Sequence, residues 1–233
     1  MPASRTARRT APGKRVALLA GATGLIGRAL MPLLLASDSH GAVHVLLRRT
    51  VPGIKPHPKL TPHNVDFTHL PRPFPAVDDV FIALGTTIKV AGSEAAFRQV
   101  DFDFVVNTAR AARAAGATRL AVVSALGADA HSRVFYNRVK GEMESAIAAL
   151  GYDCVVIARP SLLVGDRAAL GQPVRFGEVW ATRLLAPVTG LVPKGLRPIA
   201  AATVAKAMLT ASLAGAPGVS LLDSAQMQAS AGD

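Results

Sequence analysis

Apolar residues in this chain change their spacing repeatedly, and each change marks the boundary of an element. Between Lys14 and Ala20, aliphatic and β-branched residues run together as in a strand buried on both faces. After three glycines spaced by three, the apolar positions from Leu25 to Leu35 take a helical spacing, so the segment reads strand, tight turn, helix. Ala42 to Leu47 predicts a second strand, Thr50 to Pro58 a proline- and histidine-rich connection, and Leu60 to Val65 a third strand. Pro71, Pro73 and Pro75 mark a loop before a buried strand from Asp79 to Leu84. One long helix is expected from Ser93 to Ala115, stopped by Gly116. Arg119 to Ser124 is the next strand, Val134 to Leu150 the next helix with Gly151 at its end, and Asp153 to Ala158 a strand stopped by Pro160. Beyond Gly165 the pattern loosens into helices near Phe176 to Leu185 and Ala201 to Leu213, then a last strand at Val219 to Leu222.

Strands alternate with helices and no internal repeat interrupts them. This predicts the α/β class: a doubly wound parallel sheet, the Rossmann fold, as a single domain over residues 15–225 with a small C-terminal substrate lid. Residues 1–14 read as a disordered basic leader and 226–233 as a flexible tail. Ligands of such sheets gather outside the carboxyl ends of the strands. The first of those ends is the turn Gly21, Ala22, Thr23, Gly24, Leu25, Ile26, Gly27. A phosphate can approach only where the backbone lacks a Cβ and the following helix presents unpaired amides. Gly21 permits the turn, Gly24 the approach and Gly27 the close packing of helix on strand, which together predict a cradle for the pyrophosphate of a nicotinamide dinucleotide.

At the end of the second strand, where an acid would accept hydrogen bonds from an unphosphorylated ribose, stand Arg48 and Arg49. A guanidinium pairs with a 2′-phosphate in a forked geometry, so NADP(H) is the expected cofactor, with NAD(H) the weaker alternative. Asp66, after the third strand, either accepts from the adenine amino group or caps a turn. Leu84, Gly85, Thr86 and Thr87 end the next strand at the same edge, where they would line the adenosine ribose or simply form a turn.

Tyr136 and Lys140 are four apart on a predicted helix and so share one face. Ser124 ends the preceding strand at the ligand edge of the sheet. Reducing a carbonyl puts negative charge on its oxygen, and a proton must arrive at neutral pH; a free phenol, with a pKa of about 10, is poorly matched to that task. An ammonium beside the ring favours the phenolate. The expected roles are therefore Tyr136 as acid or base, Lys140 as its electrostatic partner and a ribose ligand, and Ser124 as the hydrogen-bond donor that holds the carbonyl.

Composition narrows the field. The net charge of +11 is concentrated at the start, where Arg5, Arg8, Arg9, Lys14 and Arg15 stand without an acid, and no nucleic-acid motif accompanies the rest. The apolar stretch from Val16 to Ala36 follows that leader as in a signal peptide, but Arg28 near its centre would cost roughly 2.5–3.5 kcal/mol on insertion. A cytoplasmic protein without membrane attachment is expected, with room for an oligomer. The single cysteine, Cys154, reads as a buried thiol. His57, His63 and His69 read as exposed loop histidines, and no metal site is expected; Phe176 and Trp180 read as core.

GATGLIG, the GTT turn, Ser124, the pentad YNRVK from Tyr136 to Lys140, and ARPSLLVGDR from Ala158 to Arg167 together resemble the short-chain dehydrogenase/reductase superfamily over nearly the whole chain after the leader. ALGTTIKVAGSEAAFRQVDFDFV, VSALGADAHS and YNRVKGEMES look like its atypical branch that contains the Tat-interacting-protein-like oxidoreductases. The resemblance implies NADPH binding, with Pro160, Ser161 and Leu162 near the nicotinamide. Asp101 departs from the superfamily, which commonly has asparagine there, and this puts the usual proton relay behind the lysine in doubt. The leading expectation is an NADP(H)-dependent oxidoreductase acting on a small carbonyl or alcohol. The competing readings are a sugar-nucleotide epimerase or dehydratase that retains NAD, and a regulator that senses NADPH without turnover.

Overall fold

The structure, a computed structural model, describes residues 13–49, 54–164, 195 and 197–230. Nearly all of the basic leader, the helix expected near Phe176 to Leu185 with Phe176 and Trp180, and most of the expected lid lie outside the described residues. The first half of the chain forms β1 (Arg15–Ala20), α1 (Leu25–Ala36), β2 (His40–Leu47), β3 (Leu60–Asn64), β4 (Asp79–Ile82), α2 (Ile88–Ala91), α3 (Glu94–Arg98), a π turn (Gln99–Asp103) and α4 (Phe104–Ala114). The second half forms β5 (Arg119–Val123), α5 (Phe135–Ala148), β6 (Cys154–Arg159), β7 (Leu163–Val164), β8 (Ile199–Ala200), α6 (Ala201–Ala214), β9 (Gly218–Asp223) and α7 (Ser224–Ala229).

Seven strands pair in the order β3-β2-β1-β4-β5-β6-β9, all parallel, and the winding reverses between β1 and β4. That reversal opens the crevice in which such sheets hold ligand. The apolar run of β1 serves both faces because successive side chains alternate. Ala17 and Leu19 join Ile26, Leu30 and Leu34 of α1 and Val204, Ala205 and Met208 of α6 in one core layer. Leu18 and Ala20 join Val105 and Ala109 of α4 and Met143 and Ile147 of α5 in the other. Cys154 is buried in β6, as its apolar neighbours predict. At the amino ends of the strands, buried Asp79 of β4 accepts a 2.7 Å hydrogen bond from His40 of β2 and pairs with Arg15 of β1. This polar clamp lies at the opposite end of the sheet from the glycine turn.

Three expectations change. The single helix from Ser93 to Ala115 keeps its N-cap, where Ser93 Oγ accepts from the Ala96 amide, but a π turn interrupts it. There the Phe104 N–H donates to the Gln99 carbonyl five residues back. The expected tail from residue 226 is helical to Ala229, with Met227 fully buried and Asp223 forming a capping box with Gln226. His63 is not a loop residue: it lies in β3, stacked on His44 of β2, and the two imidazoles share a 2.6 Å hydrogen bond. Pro62 beside it is tolerated because β3 is an edge strand. His57 and His69 are exposed, as expected. Among the described residues no helix is long and apolar enough to cross a membrane, and no cluster of three or more His, Cys, Asp or Glu could hold a metal.

Burial, with the neighbouring His63, pushes His44 from its ordinary 6.5 down to about 4. Between those values the unfolded chain binds a proton that the folded chain resists, so folding stability falls as pH drops through this window. Urea melts at pH 7 and pH 4.5 should show the lower midpoint at pH 4.5. The gap should shrink in His44→Leu; an unchanged gap would remove His44 as its source.

Candidate functional site

The glycine turn is fixed by backbone crowding. Gly21 has φ of 91°, and a Cβ there would stand 2.4 Å from the Ala83 carbonyl oxygen at the end of β4. A Cβ on Gly27 would stand 2.0 Å from the Gly21 carbonyl oxygen, so α1 can lie this close to β1 only with glycine. Gly24 is different: its Cβ would meet nothing nearer than 3.5 Å, so its lack of a side chain leaves open the approach to the start of α1. Gly24 is the N-cap of α1, with no side-chain cap and no acid in the first helical turn. The amides of Leu25 and Ile26 thus meet no side-chain anion, and the helix start is suited to a phosphate. Arg28 Nε donates to the Thr23 carbonyl at 3.2 Å and keeps a guanidinium beside the same turn.

Beyond the turn, a cavity of about 860 Å³ is lined by Arg48, Asn64, Asp66, Gly85, Thr86 and Gln99, among others. Arg48 reaches it, whereas the exposed Arg49 is not part of its lining. Asp66 both faces the cavity and caps a turn: its carboxylate accepts from the Thr68 amide at 2.8 Å and pairs with His69. Those hydrogen bonds hold it below the usual carboxylate range. Thr87 Oγ1 accepts from the Val90 amide as the N-cap of α2. Partly buried Leu84 packs against the core, and its backbone passes beside Gly21.

Ser124, Tyr136 and Lys140 lie where β5, α5 and β6 meet. Ser124 follows β5; its N–H donates to the Ala158 carbonyl at 2.7 Å, while its Oγ is buried without a hydrogen-bond partner. A buried orphan hydroxyl costs free energy unless something completes it, and a bound oxygen would do so. Tyr136, in the first turn of α5, packs against Phe97 with ring centroids 5.3 Å apart. Lys140, one turn on, is buried, and its Nζ donates to Asp101 Oδ1 at 2.7 Å. Burial alone would push the Lys140 pKa down; the charge and hydrogen bond of Asp101, with smaller contributions from Tyr136 and Glu144, outweigh it and hold the pKa above the ordinary value.

The helix carrying Tyr136 and Lys140 is pressed onto the loop that follows Ser124. The Asp129 N–H donates to the Asn137 carbonyl at 3.0 Å, and a Cβ on Gly141 would stand 2.1 Å from the Ala130 nitrogen. Glu144 accepts two hydrogen bonds from Arg159 at the end of β6, one of them 2.9 Å from Nε, fixing the far half of α5. Buried Pro160 accepts from the Leu126 amide at 3.0 Å and so sits against the same loop. Ser161 N–H donates to Ser224 Oγ at 2.7 Å, and the Leu162 carbonyl accepts from Ile199 at 2.9 Å. The fold therefore gathers Ser124, Tyr136, Lys140 and Pro160 around one loop, and Arg48, Asp66, Gly85 and Thr86 around the neighbouring cavity. Sequence reading missed Gly141 and Gln99 as parts of the site. Gly141 had a signal, since a mid-helix glycine costs about 1 kcal/mol against alanine and calls for a packing reason.

A family model described as NAD(P)H-binding matches residues 21–173. A fungal relative from Eremothecium gossypii, named "Protein FMP52, mitochondrial", is 37% identical over 152 residues, covering 65% of this chain and 67% of its own. The chain thus spans about two thirds of the length of that protein. Other fungal proteins carry the same name, which overturns the expectation of a cytoplasmic protein. Among solved structures, MoeE5 with UDP-glucose and NAD superposes with a TM-score of 0.65 at 16% identity, covering 91% of this chain and 79% of that one. A short-chain dehydrogenase from Burkholderia cenocepacia, solved with NADP, has a TM-score of 0.62 at 16% identity, covering 94% and 92%. At this identity the likeness is one of fold. With the glycine turn, the adjoining cavity and a family match over more than half its length, the chain belongs to the NAD(P)H-binding family.

Proposed function

We propose that this protein is an NADP(H)-dependent oxidoreductase of the atypical short-chain dehydrogenase/reductase type, acting between a small carbonyl and its alcohol. The observation that carries the reading is the Ser124 hydroxyl, buried and partnerless at the ligand edge of the sheet, beside the helix of Tyr136 and Lys140. The nicotinamide supplies or accepts the hydride. Ser124 donates a hydrogen bond to the substrate oxygen, and Tyr136 delivers the proton in reduction or removes it in oxidation. Lys140, kept as an ammonium by Asp101, stabilises the phenolate that Tyr136 becomes after giving up its proton. Gly24, Leu25 and Ile26 would hold the pyrophosphate, and Arg48 the 2′-phosphate.

Gly24→Ala should melt like the wild type, because its Cβ makes only ordinary contact, yet weaken NADPH binding at least about tenfold by filling the phosphate approach. Gly141→Ala should do the reverse in thermal melts, losing about 1–3 kcal/mol because overpacking exceeds the gain in helix propensity. Equal melting of both variants would contradict the assignment of these two glycines.

Fluorescence titration should show NADPH binding more tightly than NADH. Arg48→Ala should remove most of that preference, about 10- to 100-fold for a lost charge-assisted pair. Equal affinities in the wild type would rule out the NADP(H) preference.

With a panel of aldehydes and ketones followed by NADPH absorbance, Tyr136→Phe should lower kcat by roughly 10²- to 10⁴-fold while leaving NADPH affinity nearly intact. An unchanged kcat would eliminate Tyr136 as the acid or base.

A further inference from the structure

The π turn between α3 and α4 carries three consecutive residues with different surroundings. Gln99 and Val100 line the cavity beside Arg48, Gly85 and Thr86. Asp101, next in the chain, is buried, with 1% of its side chain exposed. Its two oxygens are divided between two sides of the site: Oδ1 accepts from Lys140 Nζ at 2.7 Å, and Oδ2 accepts from the Thr86 N–H at 2.8 Å. A Cβ on Gly85 would stand 3.3 Å from Oδ1, so the carboxylate lies close against the bare backbone of that turn.

We propose that Asp101 is a positioning residue that ties the Lys140 ammonium to the Gly85–Thr86 turn, so that one carboxylate sets the cavity end and the proton-handling end of the site together. This rests on the functional reading given above for Lys140, and it concerns how that lysine is held. Both groups facing Asp101 are donors, so the residue must accept at both oxygens. Asparagine has one acceptor and would turn its amide nitrogen toward a donor, and so could serve only one side. The acidic and phenolic groups facing Lys140 are Asp101 from the π turn and Tyr136 and Glu144 from its own helix. Glu144 is engaged by Arg159, which leaves Asp101 as the paired anion of the lysine. The wide turn lets Gln99 and Val100 face the cavity while Asp101 faces α5. A ligand that presses on Gln99 and Val100 therefore presses on the segment that holds the lysine.

The test is a cycle of Asp101→Asn, Lys140→Met and the double variant in the full chain, with two readouts that need no cofactor. In Asp101→Asn the Lys140 side chain, followed by its ¹³Cε resonance, should titrate at lower pH than in the wild type, and the Thr86 amide should exchange at least about tenfold faster. NADPH titration completes the cycle: Asp101→Asn should weaken binding about 5- to 30-fold alone and have little further effect once Lys140 is Met. If Asp101→Asn does not fold by itself, Asp101→Ala combined with Lys140→Met, which buries no unpaired ammonium and leaves no side-chain acceptor for the Thr86 amide, supplies the Thr86 exchange rate. Unmoved Lys140 titration, unmoved Thr86 exchange, or an equal loss of NADPH affinity with and without Lys140 would each overturn the proposal. A wild type that does not bind NADPH would instead defeat the functional reading, and the two cofactor-free readouts would still decide the role of Asp101.

Discussion

A lysine ammonium with 4% of its side chain exposed must have an anion beside it, and the arrangement of the site follows from meeting that demand. The anion is Asp101. It stands in the π turn between α3 and α4, which packs against α5, and lies beside the bare backbone of Gly85. On another side of α5, Gly141 is crowded by the backbone of Asp129 and Ala130. A larger residue would lift α5 from the loop after Ser124 and carry Tyr136 and Lys140 with it. This side of the site thus rests on one buried pair, whose removal one partner at a time leaves an uncompensated charge.

The glycine-turn end of the crevice is built on a different principle. There the backbone itself is laid bare, and every decisive feature is something left out: a Cβ at Gly21 and Gly27 so that β1, α1 and β4 can touch, a Cβ at Gly24 so that the helix start stays open, and an acid in the first turn of α1. Positive charge is supplied by Arg28 at the turn and Arg48 in the cavity, rather than by the chain's overall charge of +11, much of which lies in the leader. The strands that carry these features end at one edge because the sheet is parallel and winds outward from β1 and β4 in both directions.

Much of this was legible in the sequence, for definite reasons. Strand β1, the glycine turn and α1 are readable because the glycines break the apolar stretch into a short run and a segment of helical spacing, and Arg28 argues against a membrane segment. Ser124, Tyr136 and Lys140 were legible because strand end and helix face are read from the same periodicity. The π turn was not: Phe97, Asp101 and Val105 are all buried at a spacing of four, which looks like uninterrupted α-helix. The role of Asp101 stayed hidden because a carboxylate in a helical pattern is ordinarily solvated, and only the tertiary fold shows the lysine and the amide it serves. His63 was misplaced because prolines around it suggested a loop, whereas an edge strand accepts them. Arg48 and Arg49 are indistinguishable in sequence, and the direction of the strand end decides which one faces the cavity.

On the function proposed above, the crevice between β1 and β4 holds the dinucleotide with its reactive end toward Ser124. Amide hydrogen exchange of the full chain with and without NADPH tests it directly, with no substrate needed. Binding should slow exchange at Leu25 and Ile26 of α1 and in the segment from Ser124 to Gly127, and leave the amino-end clamp around His40 and Asp79 unchanged. Saturating NADPH that leaves Leu25 and Ile26 exchanging at their free rate, or that protects the clamp end of the sheet instead, would contradict the account.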